Sequence, residues 1–283
     1  MLYNILCNTE KRVRSQIIKI LKKEDIPFRV DAGYIVTTLP GRMPLICTHT
    51  DTIDTLYPMA SEIVKKGNIL SLGKKSISRC LGADDRAGVW IALKMIQGGT
   101  ATPFNYAFFS GEEKGCIGST LFANTEDLDE YTCFIGLDRA SRDGQQNCAI
   151  YGYDNDLLTS IFSDAGYVTS SGSYTDCSNL ASNTDIACIN LSIGYQHEHS
   201  TKETLNLALM EDTLDVMQSV IIPAGQPFIA KPIIQWDRRF WEHPIDSISK
   251  PLCCDNCGEH TLLYEQEDGS VLCSICETVA AKY

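Results

Sequence analysis

Five short segments hold side chains of the kinds that bind divalent cations and move protons. LICTHTDTID carries His49 and Asp51 directly after an apolar run. A neutral imidazole is a good zinc ligand, and a carboxylate two residues on can accept its other ring N–H and fix the tautomer. LGADDRAG carries Asp84 and Asp85 where a helix begins. Such a pair can bridge cations or cap the helix. FFSGEEKGCIGS presents Glu112 and Glu113 after an aromatic run. One of two adjacent carboxylates can bind metal while the other handles protons.

CFIGLDRA ends an apolar run on Asp138, where a carboxylate is costly unless paired or metal-bound. Arg139 is an available partner. IGYQHEHSTKETL supplies His197 and His199. No one segment is decisive, since each also reads as a cap, a salt bridge or a solvated loop. Their joint order is more telling: His, Asp, Glu, Asp and His in succession. Three carboxylates and two imidazoles suit two divalent cations, with one carboxylate shared and positions left open for water and substrate.

The elements that must position these residues alternate in type. Apolar spacing predicts a helix over Glu10–Lys23, a second from Asp84 to Met95 and a third beginning near Ile117. A fourth is expected near residues 155–165, and a closing amphipathic helix through Leu207, Met210, Leu214, Met217 and Val220. Strands are expected near 28–37 (broken at 31–33), 44–48, 106–110, 133–137, 148–151 and 185–193. The expected architecture is α/β: a three-layer sandwich around a mixed, mostly parallel sheet, with a small C-terminal zinc-ribbon module. Ends of buried strands are where such sheets place their sites.

On these motifs the chain resembles the co-catalytic dinuclear zinc exopeptidases, over roughly residues 45–207. GADDRAG is similar to the bridging-aspartate motif of peptidase T, and SGEEKGCIGS to the Glu-Glu-x-Gly motif. YTDCSNL and HSTKE resemble segments of the tetrahedral aminopeptidases. The resemblance implies that His49 and Asp138 hold one metal, Glu113 and His199 the other, and Asp84 bridges them through a carboxylate followed by a cis peptide bond. It further implies that Asp51 orients His49 and Glu112 is the general base. Glu203, four residues beyond His199, sets the choice over His197 by family spacing. Aspartate at position 138 points to an aminopeptidase rather than a carboxypeptidase or deacylase. Roughly 35 residues separate the first two ligands and roughly 60 the last two. That leaves no room for the insertions of the larger relatives, so a compact layout is implied. Tyr174 and Tyr195 could assist an oxyanion, though packed aromatics are the preferred reading.

After residue 222 the character changes. Pro223, Pro227, Pro232, Pro244 and Pro251 break regular structure, and Phe228, Trp236, Phe240 and Trp241 suggest a linker that packs along the catalytic domain. The expected divisions are a catalytic domain at 1–222, a linker at 223–250 and a ribbon at 251–283. In the last, Cys254, Cys257, Cys273 and Cys276 form two Cys-x-x-Cys pairs across a hairpin-like stretch turning at Asp268-Gly269. Four thiolates so spaced give a closed tetrahedral structural zinc site. A module this small needs such a staple.

The net charge of −12 argues against a nucleic-acid or anionic-membrane partner. The acidic ribbon suits a protein contact better. The N-terminal residues lack the features of a secretory signal, and no apolar run reaches membrane-spanning length. Eight of the 13 cysteines stand singly from Cys7 to Cys188 and read as reduced, mostly buried thiols, so a cytoplasmic location is expected. The expected function is a metal-dependent aminopeptidase acting on a peptide or aminoacyl substrate. It would use two divalent ions, zinc by default, besides the structural zinc. A deacylase, a carboxypeptidase or an aminoacyl cyclase is the alternative on the same scaffold, and a non-catalytic adaptor working through the ribbon is the alternative of another class.

Overall fold

Alternate residues of three adjacent strands face two different cores. Ile46, Tyr106, Phe108, Cys133, Ile135 and Leu137 belong to one cluster. Leu45, Cys47, Ala107, Phe109 and Phe134 belong to a second. A strand side chain alternates between faces, so a sheet buried on both sides needs apolar residues at every position. This is why these segments read as unbroken apolar runs.

The computed structural model describes residues 1–53, 62–142, 144–151, 153–223, 225–232, 263–265 and 271–273. They fall into two compact units, Met1–Ile233 and Ile234–Tyr283. The first begins with α1 (Leu2–Leu6), α2 (Glu10–Lys23), β1 (Phe28–Val30), β2 (Tyr34–Thr37) and β3 (Met43–His49). It continues with β4 (Ile63–Lys66), β5 (Ile69–Leu72), α3 (Ala83–Gly98), β6 (Asn105–Phe109), α4 (Ile117–Thr125) and β7 (Tyr131–Arg139). Then come β8 (Asn147–Ile150), β9 (Tyr153–Asp154), α5 (Asp156–Asp164), β10 (Val168–Ser171), α6 (Asp176–Ala181) and β11 (Cys188–Ser192). It closes with β12 (Tyr195–Gln196), β13 (Thr204–Asn206), α7 (Leu207–Ser219) and β14 (Lys231–Pro232).

Eight strands form the main sheet in the order β1-β2-β6-β3-β7-β11-β8-β10. Its centre is parallel, through β6–β3, β3–β7 and β7–β11, and β8–β10 is parallel too. The pairs β1–β2, β2–β6 and β8–β11 are antiparallel, so the sheet is mixed as expected. Helices α1, α2, α3 and α7 bring their apolar residues to the first core, and α4 and α6 bring theirs to the second. Helix α2 follows the predicted stripe, burying Val13, Ile17, Ile20 and Leu21 at helical spacing.

A second sheet, β12-β13-β5-β4, is absent from the sequence expectations. Asp84 stands in the first turn of α3 with no strand directly before it, because β5 ends at Leu72. Likewise His197 and His199 follow the two-residue strand β12 of this second sheet rather than the long apolar strand β11.

Residues 225–232, read as linker, belong to the first unit. Phe228 is buried, its amide donates to Thr132 O, and its carbonyl accepts from the Ala187 amide. Trp236, Phe240 and Trp241 lie outside the described residues. In the second unit, β15 (Leu263–Glu265) pairs antiparallel with β16 (Val271–Cys273), which fits the hairpin expectation. Cys254, Cys257, Cys276 and the Asp268-Gly269 turn lie outside the described residues.

Candidate active site

Three parallel strands end on the same side of the sheet. β3 ends on His49, β6 leads through Ser110 and Gly111 to Glu112 and Glu113, and β7 carries Asp138 near its end. Parallel pairing fixes their relative height, with His49 opposite Phe109. Helix α3 brings Asp84 over this edge. Its close approach depends on Gly88, where an added Cβ would stand 2.1 Å from the Leu137 carbonyl oxygen. The peptide bond between Asp84 and Asp85 is cis, as the resemblance implied.

His49 is buried. Its Nε2 lies 3.1 Å from Asp84 Oδ1, 3.6 Å from Asp138 Oδ1 and 3.9 Å from Glu112 Oε2. Its Nδ1 faces Asp51 Oδ1 at 3.4 Å. The Asp51 carboxylate also accepts the amides of Glu112 and Glu113, at 3.2 and 3.3 Å. One side chain therefore stands beside the His49 ring, whose Nδ1 has no well-formed hydrogen bond, and accepts from the segment bearing both glutamates. On the other flank, His199 Nε2 lies 3.1 Å from Asp84 Oδ2 and 2.9 Å from Glu113 Oε2. Asp84 thus offers one oxygen to each histidine. His197 takes part in none of these contacts. Both histidines have positive φ, so the backbone that carries them is not extended.

Two sets of donor atoms lie within 4.8 Å of one another: His49, Asp84 and Glu113, and His49, Asp85 and Asp138. Asp85 is the weaker candidate of the two aspartates. Its Oδ2 accepts the His49 amide at 3.0 Å and its Oδ1 the Gly88 amide at 3.1 Å, so it is spent on backbone. Glu113 Oε1 is buried without a hydrogen-bond partner, a donor left over for a cation. The residues present fit a pair of divalent ions.

The electrostatics carry the mark of crowded carboxylates. Burial pushes Glu112 up to about 9, with Asp138, Asp176 and Asp84 adding to the shift and His49 opposing it. Burial likewise raises Asp138 to about 6. Burial works against charge on Asp84 too, but hydrogen bonds from His199 and His49 outweigh it and hold that carboxyl well below the usual range. Hydrogen bonds to Asp84 and Glu113 lift His199 to about 11.

Several supporting residues escaped sequence reasoning. Glu203, used there only for spacing, is fully buried and accepts the amides of Gly82, Ala83 and Asp84 at 2.9, 2.7 and 3.0 Å. Thr175 Oγ1 donates to Asp138 Oδ2 at 2.8 Å, and the Tyr195 hydroxyl to Asp138 Oδ1 at 3.2 Å. Tyr195 is buried, so it packs and also positions a carboxylate. Tyr174, preferred as a packed aromatic, is 55% exposed, with its hydroxyl bonded to Asn179 Oδ1. Asp176 is buried near the site and neither of its oxygens has a well-formed hydrogen bond.

Comparison with known proteins supplies the family. No curated protein matches the chain. Among solved structures, aminopeptidase PepT from Bacillus cereus ATCC 10987 aligns with a TM-score of 0.59 at 14% identity, over 76% of this chain and 94% of that one. A tripeptidase from Staphylococcus aureus aligns at 0.55 and 13% identity, over 77% and 97%. The Pyrococcus horikoshii TET1 peptidase aligns at 0.51 and 17% identity, over 74% and 93%. At these identities the likeness is one of fold. The description "Peptidase family M28" matches residues 35–221, which contain all five candidate ligands, and so the chain belongs to peptidase family M28 and is a hydrolytic metallopeptidase.

Proposed function

We propose that the chain is a two-metal aminopeptidase. The observation that carries this reading is Asp84, whose two oxygens face two different imidazoles at 3.1 Å each. His49 and Asp138 would hold one ion, Glu113 and His199 the other, and Asp84 would span both. Zinc is the default for this mixture of imidazole and carboxylate, and cobalt or manganese would also fit. Such ions supply Lewis acidity for the scissile carbonyl and make water acidic enough to attack it near neutral pH.

The chain's own residues do the rest. Glu112 accepts the proton of the attacking water and passes it to the leaving amine. Its burial suits it to hold a proton between those two transfers. Asp51 keeps the His49 ring oriented and anchors the loop that presents Glu112. The resemblance associates aspartate at position 138 with free-amine substrates. A deacylase or carboxypeptidase on the same scaffold is the second reading, and parallel assays on aminoacyl and N-acylated peptides separate the two. Glu112→Gln tests the mechanism: turnover should be lost with metal content intact, and normal turnover in that variant would show that the assigned base is wrong.

The C-terminal unit is proposed to be a zinc ribbon closed by Cys254, Cys257, Cys273 and Cys276, offering an acidic face to a protein partner. The β15–β16 pairing supports a hairpin between the two cysteine pairs. A cytoplasmic location is supported by the free thiols, seven of the eight described being buried and one, Cys7, exposed.

A further inference from the structure

One cation in the wall of this acidic cleft has no partner among the described residues. The cavity over the site holds about 210 Å³. Asp84, Glu112, Asp138 and His199 line it, together with Arg139, Arg142 and Glu198. The two arginines are in different situations. Arg139 is committed to the sheet: its Nε donates to Asn147 Oδ1 at 2.5 Å, and its Nη2 to Ser170 Oγ at 3.0 Å and Ser171 O at 2.9 Å. Arg142 is exposed, and its guanidinium makes no hydrogen bond or ion pair among the described residues. It also lines an adjoining cleft of about 550 Å³ together with Glu198. Glu198 forms no ion pair with it, so the neighbouring anion does not neutralise it.

The charge pattern gives this position meaning. The crowded carboxylates around the ion site disfavour an anionic substrate there until cations are bound. An exposed guanidinium, unpaired among the described residues, then supplies the complementary charge, in the planar fork that matches a carboxylate. The cavity is smaller than the roughly 300–1,000 Å³ that holds a drug-sized ligand. A substrate with its scissile bond at the ions would share this small cavity with Arg142.

We propose that Arg142 anchors a carboxylate of the substrate, close to the scissile bond. The inference rests on the two-metal peptidase reading for which bond is cut, but not for the binding itself. The carboxylate could be the α-carboxylate of a short peptide or the side chain of an acidic residue, and both use the same fork.

The test compares Leu-Ala, Leu-Ala amide and Leu-Glu amide on the zinc-loaded full chain. A charge-assisted pair of this kind corresponds to roughly 10–100-fold in binding. Leu-Ala should show a KM lower than its amide by about that factor, and R142M should bring the ratio close to one, the loss falling on KM rather than kcat. If Leu-Glu amide shares the advantage, a side-chain carboxylate serves; if it does not, the chain terminus is what is read. Equal KM for Leu-Ala and its amide in the wild-type protein would overturn the proposal, as would an R142M loss shared equally by all three. Calorimetry on the E112Q protein, with and without R142M, reads the same contrast as binding alone. Should the wild type hydrolyse none of the peptides, the peptidase reading fails, and the calorimetric contrast still decides the role of Arg142.

Discussion

Glu203 Oε1 accepts the amide hydrogen of Asp84 at 3.0 Å, across 119 positions of sequence. The same carboxylate takes the amides of Gly82 and Ala83, so the turn that bears His199 grips the turn that bears the shared aspartate. Three backbone donors, with no other acceptor among the described residues, depend on one buried side chain. Removing it leaves them unsatisfied, at about 1–3 kcal/mol for a buried group. Glu203→Ala should therefore unfold at lower denaturant and bind zinc more weakly, while Glu203→Gln, which keeps one carbonyl oxygen, should recover part of both. Denaturation midpoints and zinc titrations of the two variants check this. Equal behaviour of wild type and alanine variant would show that the grip on Asp84 is idle.

Asp51 touches three parts of the site and, in the proposed scheme, no ion. Its carboxylate faces His49 Nδ1 and accepts the amides of both glutamates. Asp51→Asn keeps the size but puts a donor where one of these donors points. Changes to such supporting residues typically cost 10–100-fold in affinity or activity. A loss of about that size is expected in kcat or in metal affinity, read by steady-state kinetics and metal titration. A loss confined to KM would contradict the orienting role.

The parts of this molecule that were legible in the sequence share a physical cause. Strands β3, β6 and β7 are buried on both faces, so their composition alone marks them, and the residues that end them could be picked out. The second sheet was not legible, because its strands are two to four residues long and β4 is largely exposed, which leaves no apolar run to read. His199 was found only through family spacing, since the hairpin that aims it belongs to that sheet. The choice between Asp84 and Asp85 depends on which carboxylate the backbone consumes, and composition does not encode that. The partners of Glu203 are main-chain amides about 120 positions away, which no local motif could announce.

Metal content separates the two proposed zinc environments. Five ligands for a pair of ions and four cysteines for one more predict about three zinc per chain. Asp84→Ala removes the shared carboxylate and should lower the count to about one, that of the cysteine module. Elemental analysis after dialysis measures this. A wild-type count of about one would exclude the paired-ion site, and an unchanged count in the variant would exclude Asp84 as the bridge.

Asp176 makes the clearest case for pH dependence outside the proposed ligands. Burial pushes its carboxyl up to about 7 in the folded chain, against 3.8 as the ordinary value. The folded form therefore holds this proton over a range in which the unfolded chain has released it. Where the native state binds more protons, stability falls as pH rises. The contribution is greatest below about pH 4, declines between about 4 and 7, and is flat above. Asp85, Glu112 and Asp138 are also raised by burial and slope the same way, so the total does not isolate one group. The difference between wild type and Asp176→Asn does. Without the ionisable group, the variant should lose less stability than the wild type between pH 5 and pH 7.5 in chelator-treated protein, and should be the more stable of the two at the upper pH. Urea unfolding at both values measures it, and parallel slopes for the two proteins would mean that Asp176 is already ionised in the fold.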